Sequence, residues 1–212
     1  MQIRDLITGG SRMKAYSLGL YEKAMPPELS WREKLETAKE AGYDYVEISI
    51  DETEEKISRL DMTGEERFEM VSAMYETGLP IRTMCVSALT KYSLGNDDPQ
   101  FSARGMEILE KSIRLADDLG VRVVMIPGYD VYYRPSTLET KRRYLRNLKR
   151  AAEMAEKAGV ILGLETMENE FMNTVEKAMK YVTLCGSNYL KVYPDIGNLT
   201  NAAVQYQSDV LE

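Results

Sequence analysis

Carboxylic acids recur in this sequence at the ends of short apolar runs, where a charge is expensive. Glu165 follows Val160-Ile161-Leu162-Gly163-Leu164, Asp195 follows Leu190–Tyr193 and Pro194, and Glu47 lies inside Tyr43–Ile50. Glu22 comes directly after the apolar run Ala15–Leu20 and Tyr21. A buried charge costs several kcal/mol unless it is paired or holds a metal, so the repetition needs a cause. Glu165 and Asp195 end consecutive runs and could share one divalent cation. Carboxylates with few nitrogens suit Mg²⁺ or Mn²⁺, and Zn²⁺ is also compatible. Each has a plainer role to weigh against this. Glu165 could pair with a helix-borne Lys or Arg, and Asp195 could be the N-cap or Asx turn of Asp195-Ile196-Gly197-Asn198.

Other polar groups stand at the same places. Glu22 and Glu47 could accept hydrogen bonds from sugar hydroxyls, or form ion pairs across neighbouring strand tops. Lys23 could meet an anionic substrate, or be a solvated charge. Tyr129 opens the cluster Tyr129-Tyr132-Tyr133-Arg134, a pocket wall or a packed loop, and Asn198 extends the polar set beyond Asp195.

Composition narrows the chemistry. The 212 residues contain no histidine, which removes Ser-His-Asp and Cys-His catalysis from within the chain. It also removes most zinc designs and leaves carboxylate-rich metal sites. The net charge is −7 with no long basic run, which disfavours a nucleic-acid partner. No apolar run approaches the roughly 18 residues of a membrane helix, and Met1–Met13 has no signal-type apolar stretch, so a cytoplasmic location is expected. Cys85 and Cys185 lack metal spacing and read as reduced core thiols. Met1–Met13 lacks periodicity and ends in Gly9-Gly10-Ser11-Arg12 before a second methionine. It reads as a poorly ordered leader to one domain spanning 14–212.

The elements that must position these groups repeat as helix, glycine, strand. Helices are expected over Ser30–Ala41, Thr63–Thr77, Ser102–Leu119, Thr137–Ala158 and Thr174–Leu184, closed by Gly42, Gly78, Gly120, Gly159 and Gly186. Thr63 and Glu66 have capping-box spacing. Strands are expected over Ala15–Leu20, Tyr43–Ile50, Ile81–Val86, Val121–Ile126, Val160–Leu164 and Tyr189–Tyr193. Runs such as Val121–Ile126 are apolar without alternation, as in a parallel sheet covered by helices. Periodicity alone leaves an open doubly wound sheet and a barrel both possible. A G-x-G-x-x-G turn and a P-loop are both absent. Six units are present, where eight of about 35 residues each would make a full barrel.

Four runs resemble one known family. GLYEKAMP (19–26), VEISIDETEEKISRLD (46–61), GYDVYY (128–133) and YPDIGNLTNA (193–202) are similar to bacterial L-ribulose-5-phosphate 3-epimerases, also called L-xylulose-5-phosphate 3-epimerases. The resemblance covers about Ala15 to Asn201. It implies a (β/α)₈ barrel of the xylose isomerase-like type, cut to about six units, acting in L-ascorbate and related pentose catabolism. It further implies one divalent metal (Mn, Mg or Zn) held by Glu, Asp, His and Glu. Glu165 and Asp195 match the first two ligands; the other two belong to the family's last two strands, beyond residue 212. The implied reaction is proton transfer at C3 through an enediolate, with Glu165 as one of two proton-carrying carboxylates. The competing activities are an aldose–ketose isomerase, a metal-dependent repair endonuclease of the same superfamily, or an inactive sugar-phosphate binder. The first and sixth strands are expected to be open edges, which favours a homo-oligomer.

Overall fold

Every long helix but the last is stopped by the same device. The structure, a computed structural model, describes residues 16–207, so the expected leader Met1–Met13 and the Ala15 end of the first run lie outside the described residues. Gly42, Gly78, Gly120, Gly159 and Gly186 all have φ between 68° and 87°, the left-handed region that glycine reaches without a Cβ clash. Each turns the chain from the end of a helix into the next strand.

The strands are β1 (Gly19–Tyr21), β2 (Tyr45–Ser49), β3 (Ile81–Cys85), β4 (Val123–Pro127), β5 (Ile161–Glu165) and β6 (Leu190–Tyr193). All pair in parallel, in the order β1-β2-β3-β4-β5-β6. A doubly wound sheet would reverse its order at a switch point; this one does not. The sheet also curls. Tyr193 on β6 donates its hydroxyl proton to Glu47 on β2 at 3.2 Å, although a flat sheet would hold those strands about 19 Å apart. Sequential parallel pairing with that curvature is the wall of a TIM-type barrel, six units long.

Seven helices flank the sheet among the described residues: α1 (Trp31–Glu40), α2 (Glu54–Ser58), α3 (Gly64–Thr77), α4 (Pro99–Leu119), α5 (Leu138–Ala158), α6 (Val175–Cys185) and α7 (Ile196–Tyr206). Leu109, Ile113 and Ala116 of α4 and Leu148, Ala151 and Ala155 of α5 pack onto Met84, Val124 and Leu162 of the sheet, all buried. The capping box at Thr63 forms, and Ser30 makes a second one with Glu33. Most bounds move by one or two residues, α2 and α7 lie outside the expected helices, and two starts depart further. Helix α4 starts at Pro99, not Ser102, because Asp98 accepts the Gln100 N–H at 2.9 Å and proline suits the first helical position. Strand β1 is only three residues long.

Candidate active site

The C-terminal ends of the strands converge on one basin, and the end of β5 is its centre. Glu165 is the last residue of β5, in register with Pro127 of β4 and Tyr193 of β6. Its carboxyl is pushed up to about 7, first by burial and then by the charges of Asp195, Glu47 and Glu168. No cation pairs with it among the described residues, so the salt-bridge alternative is not what the structure shows. An acid held this way lowers its energy by taking a proton or a cation.

Asp195 serves as the N-cap of α7, accepting the Asn198 N–H on Oδ1 at 2.9 Å. The plainer role therefore holds for that oxygen, and it also fixes the carboxylate beside Glu165. Thr166, fully buried, ties the two strand ends together. Its hydroxyl accepts the Asp195 N–H at 2.9 Å, and its carbonyl accepts Asn198 Nδ2–H at 2.9 Å. Asn198 thus acts on the backbone that carries Glu165 and Asp195.

Glu47 projects from β2 into the barrel, and burial raises its pKa despite the Tyr193 hydrogen bond. Thr83 Oγ1 stands near it on β3 but closes no hydrogen bond of ordinary geometry. These groups, with Gly19, Tyr21 and Tyr45, line an interior cavity of about 120 Å³. Gly163 makes the arrangement possible: a Cβ there would come within 2.9 Å of the Tyr193 ring. At the ends of β1, β2 and β3, Tyr21 donates to Cys85 Sγ at 3.5 Å and lies 3.0 Å from Ser49 Oγ. Burial, first of all, pushes the Cys85 thiol up to about 11, so it stays protonated and inert.

The remaining candidates divide. Tyr129 is buried and donates to both oxygens of Glu168 at 2.7 and 2.8 Å, with Tyr132 edge-on to its ring. It walls the basin on the β4 side. Lys23 lies exposed at the rim in an ion pair with Asp51 at 2.7 Å. Glu22 is not in the basin's polar set. It is 2% exposed and held by Lys56 at 2.5 Å, Arg59 at 2.7 Å and the Ser49 N–H at 2.9 Å, with Lys34 at 3.9 Å. This is the ion-pair alternative, with its cations coming from helices and the turn after α2 and not from a neighbouring strand top.

The sequence reading missed Glu168, Tyr193 and Thr166 as site residues. Glu168 carried a signal, an acid three residues beyond Glu165, whereas Tyr193 and Thr166 look like ordinary strand-end residues. Among the described residues, no group of three or more His, Cys, Asp or Glu side chains is arranged to hold a metal ion. Glu165 and Asp195 bring like charges together at neighbouring strand ends, a crowding of the kind a cation relieves. No helix among the described residues is long and apolar enough to cross a membrane.

Comparison with known proteins agrees with this geometry. The family model described as xylose isomerase-like TIM barrel matches residues 35–210. The chain is 44% identical over 187 residues to L-ribulose-5-phosphate 3-epimerase UlaE of Escherichia coli O139:H28, covering 88% of this chain and 66% of that protein. The chain thus spans just under two thirds of the length of that relative. D-psicose 3-epimerase from Clostridium cellulolyticum H10, solved with D-tagatose, superposes with a TM-score of 0.74 at 18% identity, covering 87% of this chain and 65% of that one. A Mycobacterium smegmatis protein of the same barrel type, solved in complex with magnesium, has a TM-score of 0.67 at 15% identity, with coverage of 87% and 66%. Both structural likenesses concern the fold. With a parallel barrel wall, acids gathered at its strand ends and a family match over most of its length, the chain belongs to the xylose isomerase-like TIM barrel family.

Proposed function

We propose that this chain works as a sugar-phosphate epimerase, interconverting L-ribulose 5-phosphate and L-xylulose 5-phosphate by moving the proton at C3. The observation that carries this is the convergence of Glu165, Asp195, Glu47 and Glu168, with no cation on Glu165 and burial holding its carboxyl near 7. The 44% identity to an L-ribulose-5-phosphate 3-epimerase supplies the substrate class.

Glu165 and Asp195 would hold one divalent cation, Mn²⁺, Mg²⁺ or Zn²⁺, which supplies electrophilic polarisation of a ketone oxygen. Of the chain's own groups, Glu165 takes the C3 proton, since a carboxylate at the end of a rigid strand holds its position while the bond breaks, and the second carboxylate that the family resemblance implies would return a proton to the opposite face. The Asn198 N–H fixes the rotamer of Asp195, and Thr166 fixes the spacing of the two strand ends. Glu47, steadied by Tyr193, accepts a substrate hydroxyl from the opposite wall. Tyr129 and Glu168 close the β4 side and limit water, and Lys23, at the rim, would exchange its ion pair with Asp51 for the phosphate.

Proton NMR of L-ribulose 5-phosphate in D₂O with the chain and each metal tests this. Deuterium at C3 together with formation of L-xylulose 5-phosphate is the expected result. Label at C1 would replace the epimerase with an aldose–ketose isomerase, and no exchange with any metal would overturn the proposal for this chain.

A further inference from the structure

Helices α5 and α6 carry lysines at the end where a cation is least welcome. The positive end of a helix macrodipole lies at its N-terminus, which stabilises anions and repels cations. Yet Lys141 is the fourth residue of α5 and Lys177 the third of α6, with Lys180 one turn further on. All three side chains line one cavity of about 510 Å³, together with Ser136, Glu170 and Phe171. Three lysines and one glutamate give this lining a net charge of +2, on a chain whose total is −7. Among the described residues, none of the three lysines has a carboxylate partner. Lys177 Nζ donates to the Glu170 carbonyl at 2.6 Å and to Oδ1 of buried Asn173 at 2.7 Å. Both acceptors are neutral, so the charge is fixed in place without being neutralised. Lys141 Nζ lies 6.0 Å over the ring of Phe171, which is itself set edge-on against buried Tyr144.

We propose that this cavity binds a small phosphate monoester as its dianion. The charge of the lining matches that of the ligand. Lys141, Lys180 and the remaining proton of Lys177 supply charged donors, and the N-terminal ends of α5 and α6 add to the same field. An anion seated there removes the repulsion between the lysines and the helix ends, which nothing else among the described residues offsets. The cavity is larger than a bare phosphate and lies within the range of small-molecule sites, so the organic part of an ester has room. Both helices begin beyond the ends of β4 and β5, so the cavity opens at the same end of the barrel as the basin, but among the helices. It includes neither Glu165 nor Asp195, and the inference stands whether or not the chain epimerises a sugar.

Backbone-amide NMR of the full chain, titrated at constant ionic strength with glycerol 3-phosphate and with inorganic phosphate, is the test. Glycerol 3-phosphate has no carbonyl and so cannot report on epimerisation. It should saturate one site, bind at least as tightly as inorganic phosphate, and shift amides within 136–141 and 170–181. Lys141→Gln and Lys180→Gln, both at exposed positions, should each weaken binding about tenfold with circular dichroism unchanged. Glu170→Gln should tighten it by removing the one acid of the lining, a gain that misfolding cannot imitate. Lys23→Ala, at the basin rim, should leave it unchanged. Shifts that never saturate, shifts centred on Lys23, or affinity untouched by either lysine variant would overturn the inference. So would a bare phosphate that binds while the ester is refused.

Discussion

Glu22 and Glu165 follow or end strands of the same sheet, and both lose most of their solvent, yet their surroundings are opposite. Around Glu22 stand Lys56, Arg59 and Lys34, and around Glu165 stand Asp195, Glu47 and Glu168. Burial works to raise both carboxyls. At Glu22 the hydrogen bonds and charges of Lys56 and Arg59, with the Ser49 N–H, overcome it and hold the group below its ordinary value. At Glu165 the neighbours add to burial, and the group rises to about 7. The first arrangement is closed: it needs nothing further, and it anchors the end of β1 to α1 and α2. The second is open, asking for a proton or a cation. Position in the fold therefore does not distinguish a structural acid from a reactive one; the sign of the neighbouring charge does.

The largest effect should come from breaking the closed site. Glu22→Ala leaves three cations around a buried gap, which typically costs about 3–5 kcal/mol. Urea denaturation at pH 7 measures it, and a loss below 1 kcal/mol would mean the cluster is dispensable. The pH dependence has a definite sign. Glu22 contributes stability that is complete above its unfolded value near 4.5 and disappears as pH falls through its lower folded value.

Glu165 should behave in the opposite way in metal-free buffer. The folded state holds its proton more tightly than the unfolded chain, so stability declines as pH rises from about 4.5 to about 7. A rise of that size corresponds to about 3 kcal/mol. Glu165→Gln should thus be more stable than the parent at pH 8 by up to roughly that amount, with no difference at pH 4. The same change should slow C3 exchange at least about a hundredfold. A variant that loses stability at pH 8 would show that Glu165 is paired in the fold after all.

The contrast between the two acids also explains what could and could not be read from sequence. The glycine stops, the Thr63 box and the apolar strand runs are local signals, and the elements appear where those signals lie. The start of α4 was local too, in Asp98-Pro99. Glu22 and Glu165 look alike in sequence because what separates them is remote. The cations on Glu22 lie 34 and 37 residues away at Lys56 and Arg59, and the acid added by Glu47 comes from the far wall. Tyr193 shows the same limit more sharply. Its contact with Glu47 spans 146 residues and exists only because the sheet curls. Asp195 could be read either way, and the structure uses it as a cap while holding it beside Glu165.

A divalent cation should sharpen the contrast with a somewhat smaller effect. Chelator-treated protein at pH 8 should gain stability on addition of Mn²⁺, reaching about 2.7 kcal/mol at a hundredfold excess over the dissociation constant. The gain should shrink at pH 5, where protons compete for the same carboxylates, and should be lost in Glu165→Gln but retained in Lys23→Ala. An equal gain in Glu165→Gln would move the cation elsewhere on the chain.

The smallest effect tests whether the open site is set along the strands or across the barrel. Tyr193→Phe keeps the ring over Gly163 and removes only the hydroxyl that reaches Glu47. A hydrogen bond to a carboxylate is worth about 1.5–3 kcal/mol at good length, and this one, at 3.2 Å, belongs at the bottom of that range. The loss should therefore appear first as a further rise in the Glu47 pKa, followed by carboxyl ¹³C NMR, and only weakly in the denaturation midpoint. Through its charge on Glu165, the same change should ease the second acid slightly, because a Glu47 that holds its proton longer repels less. If Tyr193→Phe leaves both titrations where they were, the β2 and β6 walls act independently and the acid at β5 is set by its own strand end and Asp195. If both move together, the curl of the sheet is what couples the acids.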